Sequence, residues 1–236
     1  MPSAKNNQPV MNRLLAALPK KEYQRLLPEL ESVPLIFGDI LFEPGDRLRH
    51  VYFPDNSIIS LLSAVEDREL LEVGMVGNEG MAGLPVFLGV AKSLTRGLVQ
   101  GSGSAMRMTA ATLRRETATG SALQKLLNLY AHSLMTQISQ SAACNRFHPL
   151  GVRLARWLLM THDRVEGDEF RLTQEFLSHM MGGTREQITV AASTLKKQNL
   201  INYSRGRIEI LNRTGLEAAS CKCYRVVKDE YDNFLS

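Results

Sequence analysis

The 236-residue sequence predicts an α+β protein of two domains, and three observations carry that prediction. The first half alternates short strand-like runs with Gly, Pro, Asp and Asn, the pattern of a compact all-β unit. The middle, residues 121–143, holds neither glycine nor proline and reads as one long helix. Residues 172–200 read as two short capped helices around a glycine pair, with a hairpin after them. The expected division is 1–146 and 147–236, the long helix (about 121–144) belonging to the first domain.

Two short helices open the chain, with stripes Leu14, Leu15, Leu18 and Leu26, Leu27, Leu30 split by Pro19. The first ~8 residues are expected to be disordered. Strand-like runs follow within 34–46 and at 50–53, 58–62, 70–76, 94–99 and 105–108. A series of this kind closes as a sandwich or barrel. The glycine-rich segment 74–83 reads as turns between strands, because no helix with free amides follows it to hold a phosphate.

On the long helix Leu123, Leu127, Tyr130 and Leu134 follow heptad-like spacing, continued by the weaker Gln137 and Ser141. Either the β unit of the same chain or the same helix of a second copy can cover that stripe. Residues 145–149 are expected to break the helix and act as a hinge. Pro149 suits the first turn of a further helix that reaches about Thr161 and buries Leu154, Trp157 and Leu158.

The most informative stretch starts at Leu172. Leu172, Leu177 and Met181 stack on one short helix, and Ile188, Ala191 and Leu195 on the next. Between them Gly182-Gly183 allows a sharp reversal through left-handed backbone. Thr173 and Thr184 are placed to cap the two helices, and Thr184 with Gln187 has capping-box spacing. This is a helix-turn-helix, which sets the start of its second helix in the major groove of double-stranded DNA. In that first turn Arg185 can bridge guanine O6 and N7, Glu186 can accept from cytosine N4, and the Thr189 methyl can meet a thymine methyl. Lys196 and Lys197 lie at the far end, suited to the helix dipole and to phosphate. Strand-like runs at 200–203 and 208–211 then form a hairpin with Arg205 and Arg207 at or beside its tip, within reach of a phosphate.

Composition agrees with a folded, soluble chain: 44% of residues are hydrophobic and 22% charged. The net charge is +4, and residues 171–213, with seven Lys or Arg against three acids, contain an excess as large as the whole chain's. No apolar run approaches a membrane span, so a cytoplasmic protein with reduced cysteines is expected. Cys144 has no evident partner, and Cys221 with Cys223 forms a C-x-C whose two thiols cannot close a zinc or iron–sulfur site alone. The histidines at 50, 132, 148, 162 and 179 show no paired spacing. The expectation is therefore no metal, no cofactor and no catalytic residue, the last because the nucleophile-elbow, P-loop and zinc-protease patterns are missing.

From Thr173 through Leu195 the sequence resembles the Crp/Fnr superfamily of bacterial transcription regulators. The resemblance implies a cyclic-nucleotide-binding-like β-roll over roughly 33–108, with Gly38, Gly45, Gly74 and Gly83 as its turn glycines. It also implies a dimerisation helix, a winged helix-turn-helix, action as a homodimer on an inverted-repeat operator, and RNA polymerase as a further partner. In the family the positions of Arg185, Glu186 and, in some branches, Thr189 contribute to base recognition. Four residues after the glutamate the family usually has a guanine-reading arginine. Here it is Val190, which can offer only apolar contact, so the operator should differ.

The family's cyclic-nucleotide cassette is broken: its Gly-Glu pair reads Gly83-Leu84, and 92–97 contains no Arg followed by Ser or Thr. A buried phosphate without its cation is strongly disfavoured. Cyclic nucleotide is therefore not the expected effector, and Leu84, Lys92 and Arg96 remain the candidate effector positions. The family's oxygen sensors carry an N-terminal cysteine cluster, and residues 1–40 contain no cysteine. The alternative reading is a sensor of a small ligand or partner protein in which DNA contact is secondary.

Overall fold

The computed structural model describes residues 10–65, 69–117, 120–204 and 206–235. The expectations for the first eight residues and for Arg205 lie outside these.

Two antiparallel sheets build the N-terminal roll. One has the order β1 (Glu31–Leu35), β7 (Gly103–Thr109), β3 (His50–Pro54). The other has the order β2 (Ile40–Phe42), β6 (Arg96–Gly101), β4 (Ile58–Val65), β5 (Glu69–Val76). Alternating residues such as Val51, Phe53, Ile59, Val99 and Met108 point inward and are fully or almost fully buried. Before the roll stand α1 (Arg13–Ala16) and α2 (Lys20–Leu26), as the Pro19 break predicts. Buried Asn12 caps α1 and donates to the carbonyls of Pro54 (2.8 Å) and Gly80 (3.1 Å), which pins this segment to the sheet.

After α3 (Ala110–Glu116) comes α4 (Ala122–Phe147), 26 residues long. It runs past the expected end near 144, and the break shrinks to His148, its C-cap, and Pro149, which opens α5 (Leu150–His162). The predicted stripe on α4 is buried, but within its own chain. Tyr130 donates to the Met81 carbonyl (3.0 Å). Gln137 accepts from the Met75 amide (2.6 Å) and donates to the Met75 carbonyl (3.1 Å) and the Tyr231 hydroxyl (2.7 Å). The C-terminal helix α9 (Cys223–Phe234) packs along the same helix. Gly74 also departs from expectation. It is a strand residue of β5 facing Leu134 of α4, where an added Cβ would stand 3.4 Å away, at ordinary contact distance. Gly38, Gly45 and Gly83, at φ +91°, +90° and +98°, are turn residues as expected.

The C-terminal part adds α6 (Gln174–Met181), α7 (Arg185–Lys197) and α8 (Arg213–Ala219) to α5. A three-stranded wing is ordered β8 (Glu169–Arg171), β10 (Arg207–Ile210), β9 (Ile201–Ser204). This part docks on the roll through buried polar contacts. The Trp157 indole donates to Glu72 (2.7 Å), and Arg164 donates to Glu79 through Nε (2.9 Å) and a terminal nitrogen (2.7 Å). Gln100 donates to the Thr161 hydroxyl (3.1 Å), and the rings of Phe37 and Phe176 lie 5.3 Å apart. No described helix is long and apolar enough to cross a membrane.

Candidate nucleic-acid interface

The turn between α6 and α7 forms as its residues dictate. Gly182 takes the left-handed conformation (φ 61°, ψ 50°) and closes α6, its amide bonding the Ser178 carbonyl. Thr173 caps α6 by accepting from the Phe176 amide (3.1 Å). At α7 the full capping box is present: Thr184 accepts from the Gln187 amide (3.3 Å), and the Gln187 side chain accepts from the Thr184 amide (3.0 Å). Leu177, Met180 and Met181 on α6, with Ile188, Ala191, Ala192 and Leu195 on α7, bury the inner faces and fix the angle between the helices.

What remains outside is the set of residues expected to meet DNA. Arg185, Glu186, Gln187 and Thr189 are exposed, and Val190 is 67% exposed, a large apolar side chain kept in water on an otherwise amphipathic helix. The Arg185 guanidinium donates to Glu175 on α6 (2.5 Å), with both side chains more than half exposed. Such a pair contributes about 0–1 kcal/mol, so Arg185 can exchange it for another acceptor at little cost. Hydrogen bonds from its own amide and from the Thr184 hydroxyl hold the Glu186 carboxyl below its usual pKa, keeping it an acceptor at neutral pH. The Thr189 hydroxyl donates back to the Arg185 carbonyl (2.8 Å), which leaves its methyl as the group free for a base.

The wing stands beside this helix. Thr173, Glu175, Arg185, Tyr203 and Gly206 line a shared cleft of about 570 Å³. Lys196 is exposed and donates to the Tyr203 carbonyl (3.2 Å), which joins the end of α7 to β9 and leaves two of its three N–H donors for another acceptor. Lys197 is exposed. Arg207 is paired with Glu169 across the wing (2.7 Å).

The candidate effector positions lie in unlike surroundings. Leu84 is buried in the hydrophobic core, just after left-handed Gly83. Lys92 is exposed, and Arg96 is engaged by Glu43 (2.8 Å). The Phe42 ring covers Gly97, where a Cβ would come within 2.5 Å of it, so the sheet around Arg96 is packed by an aromatic side chain.

The expectation of no metal site rested on Cys144 lacking a partner, and the fold overturns that premise. Cys144 Sγ lies 3.6 Å from Cys221 Sγ, and Cys223 Sγ lies 3.8 Å from His148 Nδ1. The four ligand-type atoms are all within 4.8 Å of one another. A sequence signal did exist: Cys144 and His148 have i, i+4 spacing, a cysteine–histidine pair about one helical turn apart.

A family model described as the Crp-like helix-turn-helix domain matches residues 152–219. No curated protein matches the chain by sequence. The chain is similar in structure to FixK2 from Bradyrhizobium japonicum, with a TM-score of 0.70 at 13% identity, covering 81% of this chain and 98% of that one. A putative Crp/Fnr-family regulator from Eubacterium rectale gives 0.67 at 15% identity, covering 87% and 96%. The c-di-GMP-responsive global regulator CLP of Xanthomonas campestris gives 0.63 at 14% identity, covering 81% and 99%. These likenesses establish a shared fold over most of the chain.

Proposed function

We propose that the chain is a DNA-binding transcription regulator of the Crp/Fnr type that reads an inverted-repeat operator as a homodimer, a reading supported by its Crp-like helix-turn-helix domain and by the fold it shares with Crp/Fnr regulators. The observation that carries the reading is the outward, doubly capped start of α7, with Arg185, Glu186, Thr189 and Val190 all in solvent. Arg185 addresses guanine, Glu186 accepts from cytosine, and Thr189 with Val190 forms a methyl-bearing surface for thymine. Thr173, Thr184 and Gln187, at the two helix starts, orient this surface and approach the phosphates. Lys196, exposed at the end of α7 and bonded to the wing at Tyr203, is proposed as a phosphate contact. Arg205 is proposed as a phosphate contact from its place in the hairpin sequence.

Dimerisation uses a second face of α4, beside the buried stripe. Half-buried Ala131 and exposed Met135, Ile138 and Ala142 recur at steps of four, three and four, the spacing of a two-stranded seam. The small alanines let a second helix come near. Two copies joined there present two recognition helices to successive major grooves. Any signal received by the roll would reach the DNA face through the buried contacts at Glu72, Glu79 and Gln137.

The test is a gel-shift series on DNA selected from a random pool by the full-length protein. Arg185→Glu should reduce discrimination between the selected and a scrambled site by at least about tenfold, the value of one good bidentate base contact. Unchanged selectivity contradicts the assignment.

A further inference from the structure

Cys144 closes the last turns of α4, and His148 is that helix's C-cap, its amide bonding the Cys144 carbonyl (3.0 Å). Cys221, in the turn that leads into α9, and Cys223, the first residue of α9, stand 77 and 75 positions after Cys144 and His148 respectively. Packing of α9 against α4 returns this turn to the helix end, so two separate sequence pairs converge on one point. The point lies beside the link between the long helix and α5, the first helix of the DNA-binding part.

The distances fit one particular kind of ligand. A tetrahedral zinc ion with Zn–S of ~2.3 Å and Zn–N of ~2.0 Å sets its ligand atoms about 3.8 Å apart from sulfur to sulfur and about 3.5 Å from sulfur to nitrogen. In the structure the separations are 3.6 Å and 3.8 Å, with all four atoms inside 4.8 Å. A disulfide would need sulfurs at ~2.05 Å. An iron–sulfur cluster spreads its ligands over several irons and needs a wider ring of donors than one ion does. Three sulfurs and one imidazole are the donors of a closed structural zinc site.

The surroundings agree independently. Three thiolates and a neutral imidazole around a divalent ion carry a net single negative charge. Arg156, 7% exposed, acts electrostatically on both Cys144 and Cys223. One of its terminal nitrogens donates to Ser141 (3.0 Å), while Nε and the other terminal nitrogen are buried with no protein partner. A buried cation with unused donors suits an anionic thiolate centre. Cys144 and Cys223 are buried while His148 and Cys221 are half-buried, which gives the ion an entry path.

We propose that Cys144, His148, Cys221 and Cys223 bind one thiophilic divalent metal ion of the zinc class, which clamps the α4–α5 link to the start of α9. Binding displaces the thiol protons to solvent, and no oxidant or reductant takes part. The site does not depend on DNA recognition, and its test does not use it.

Reduced, metal-stripped full-length protein is titrated with Co²⁺ and followed by visible absorption. The expected result is one Co²⁺ per chain, with sulfur-to-cobalt charge-transfer and tetrahedral d–d bands that Zn²⁺ abolishes by displacement. Cys221→Ser and Cys223→Ser should lose the bands, and His148→Ala should shift them. A wild-type readout guards against variants that fail to fold: Zn²⁺ should protect all three cysteines from alkylation, counted by mass spectrometry, and should raise the melting temperature. No thiolate band, alkylation unaffected by Zn²⁺, or a Cys144–Cys221 disulfide in metal-free purified protein overturns the proposal.

Discussion

The junction between roll and DNA-binding part and the outer face of α7 both depend on arginine–carboxylate pairs, yet the two differ in kind. At the junction Arg164 and Glu79 are each 5% exposed. Arg164 also donates to the Met160 carbonyl (2.7 Å) and stacks over the Tyr231 ring (5.6 Å). On the outer face Arg185 and Glu175 are 59% and 61% exposed and bond chiefly to each other. Removing one partner of a buried pair strands a charge in low dielectric, whereas water replaces the lost partner of an exposed one. The same chemistry therefore makes a fixed joint in one place and an exchangeable contact in the other. A DNA reader needs both: a rigid mount, and guanidinium groups free to change acceptor.

The largest expected effect is at the mount. Glu79→Ala should destabilise the protein by about 3–5 kcal/mol in denaturant melts, because Arg164 stays buried without its counter-ion. Replacing both residues, Glu79→Leu with Arg164→Met, should recover most of that loss. If Glu79→Ala changes stability as little as a surface mutation, the contrast between the two regions fails.

Next is the pH dependence of Glu72, which sharpens the picture of the junction. Burial pushes its carboxyl pKa up from 4.5 to about 7, opposed by hydrogen bonds from Ser60 and Trp157. A raised folded-state value means its stabilising contribution is full below the unfolded pKa and is lost as pH rises through about 7. Relative to Glu72→Gln, the wild type should lose about 3 kcal/mol between roughly pH 4.5 and pH 8. Parallel stability curves for the two proteins would contradict this.

On the DNA side the effects shrink. Thr184→Ala removes the capping box of α7 and should cost about 1 kcal/mol in stability, with DNA affinity falling as the helix start loosens. Glu175→Ala should alter stability by less than about 0.5 kcal/mol, as expected for an exposed pair. A loss of several kcal/mol there would mean that Arg185 is structurally committed and unavailable to DNA.

The sequence revealed most where local chemistry decides the structure. Gly182, Thr173, Thr184 and Gln187 act within a few residues of themselves, so the turn and both caps were readable in advance. The strands of the roll were readable for a similar reason, their alternation being a local record of burial. The covering of α4 was not. Periodicity showed that Leu123, Leu127, Tyr130 and Leu134 would be buried, but not that β5 and α9 of the same chain would bury them. Strand β8 is only three residues long and gains its identity from pairing with β10. The cysteine–histidine cluster is the extreme case, since α9 must fold back before Cys221 and Cys223 meet Cys144 and His148.

Selecting bound sequences from a random DNA pool, with the intact protein and with Arg185→Glu side by side, tests most directly whether the start of α7 reads base edges. The wild type should enrich an inverted repeat whose half-sites lie about one helical turn apart, and the variant should lose the guanine preference at the matching position of each half. Enrichment of the same sequence by both proteins, or of none by the wild type, would contradict the account.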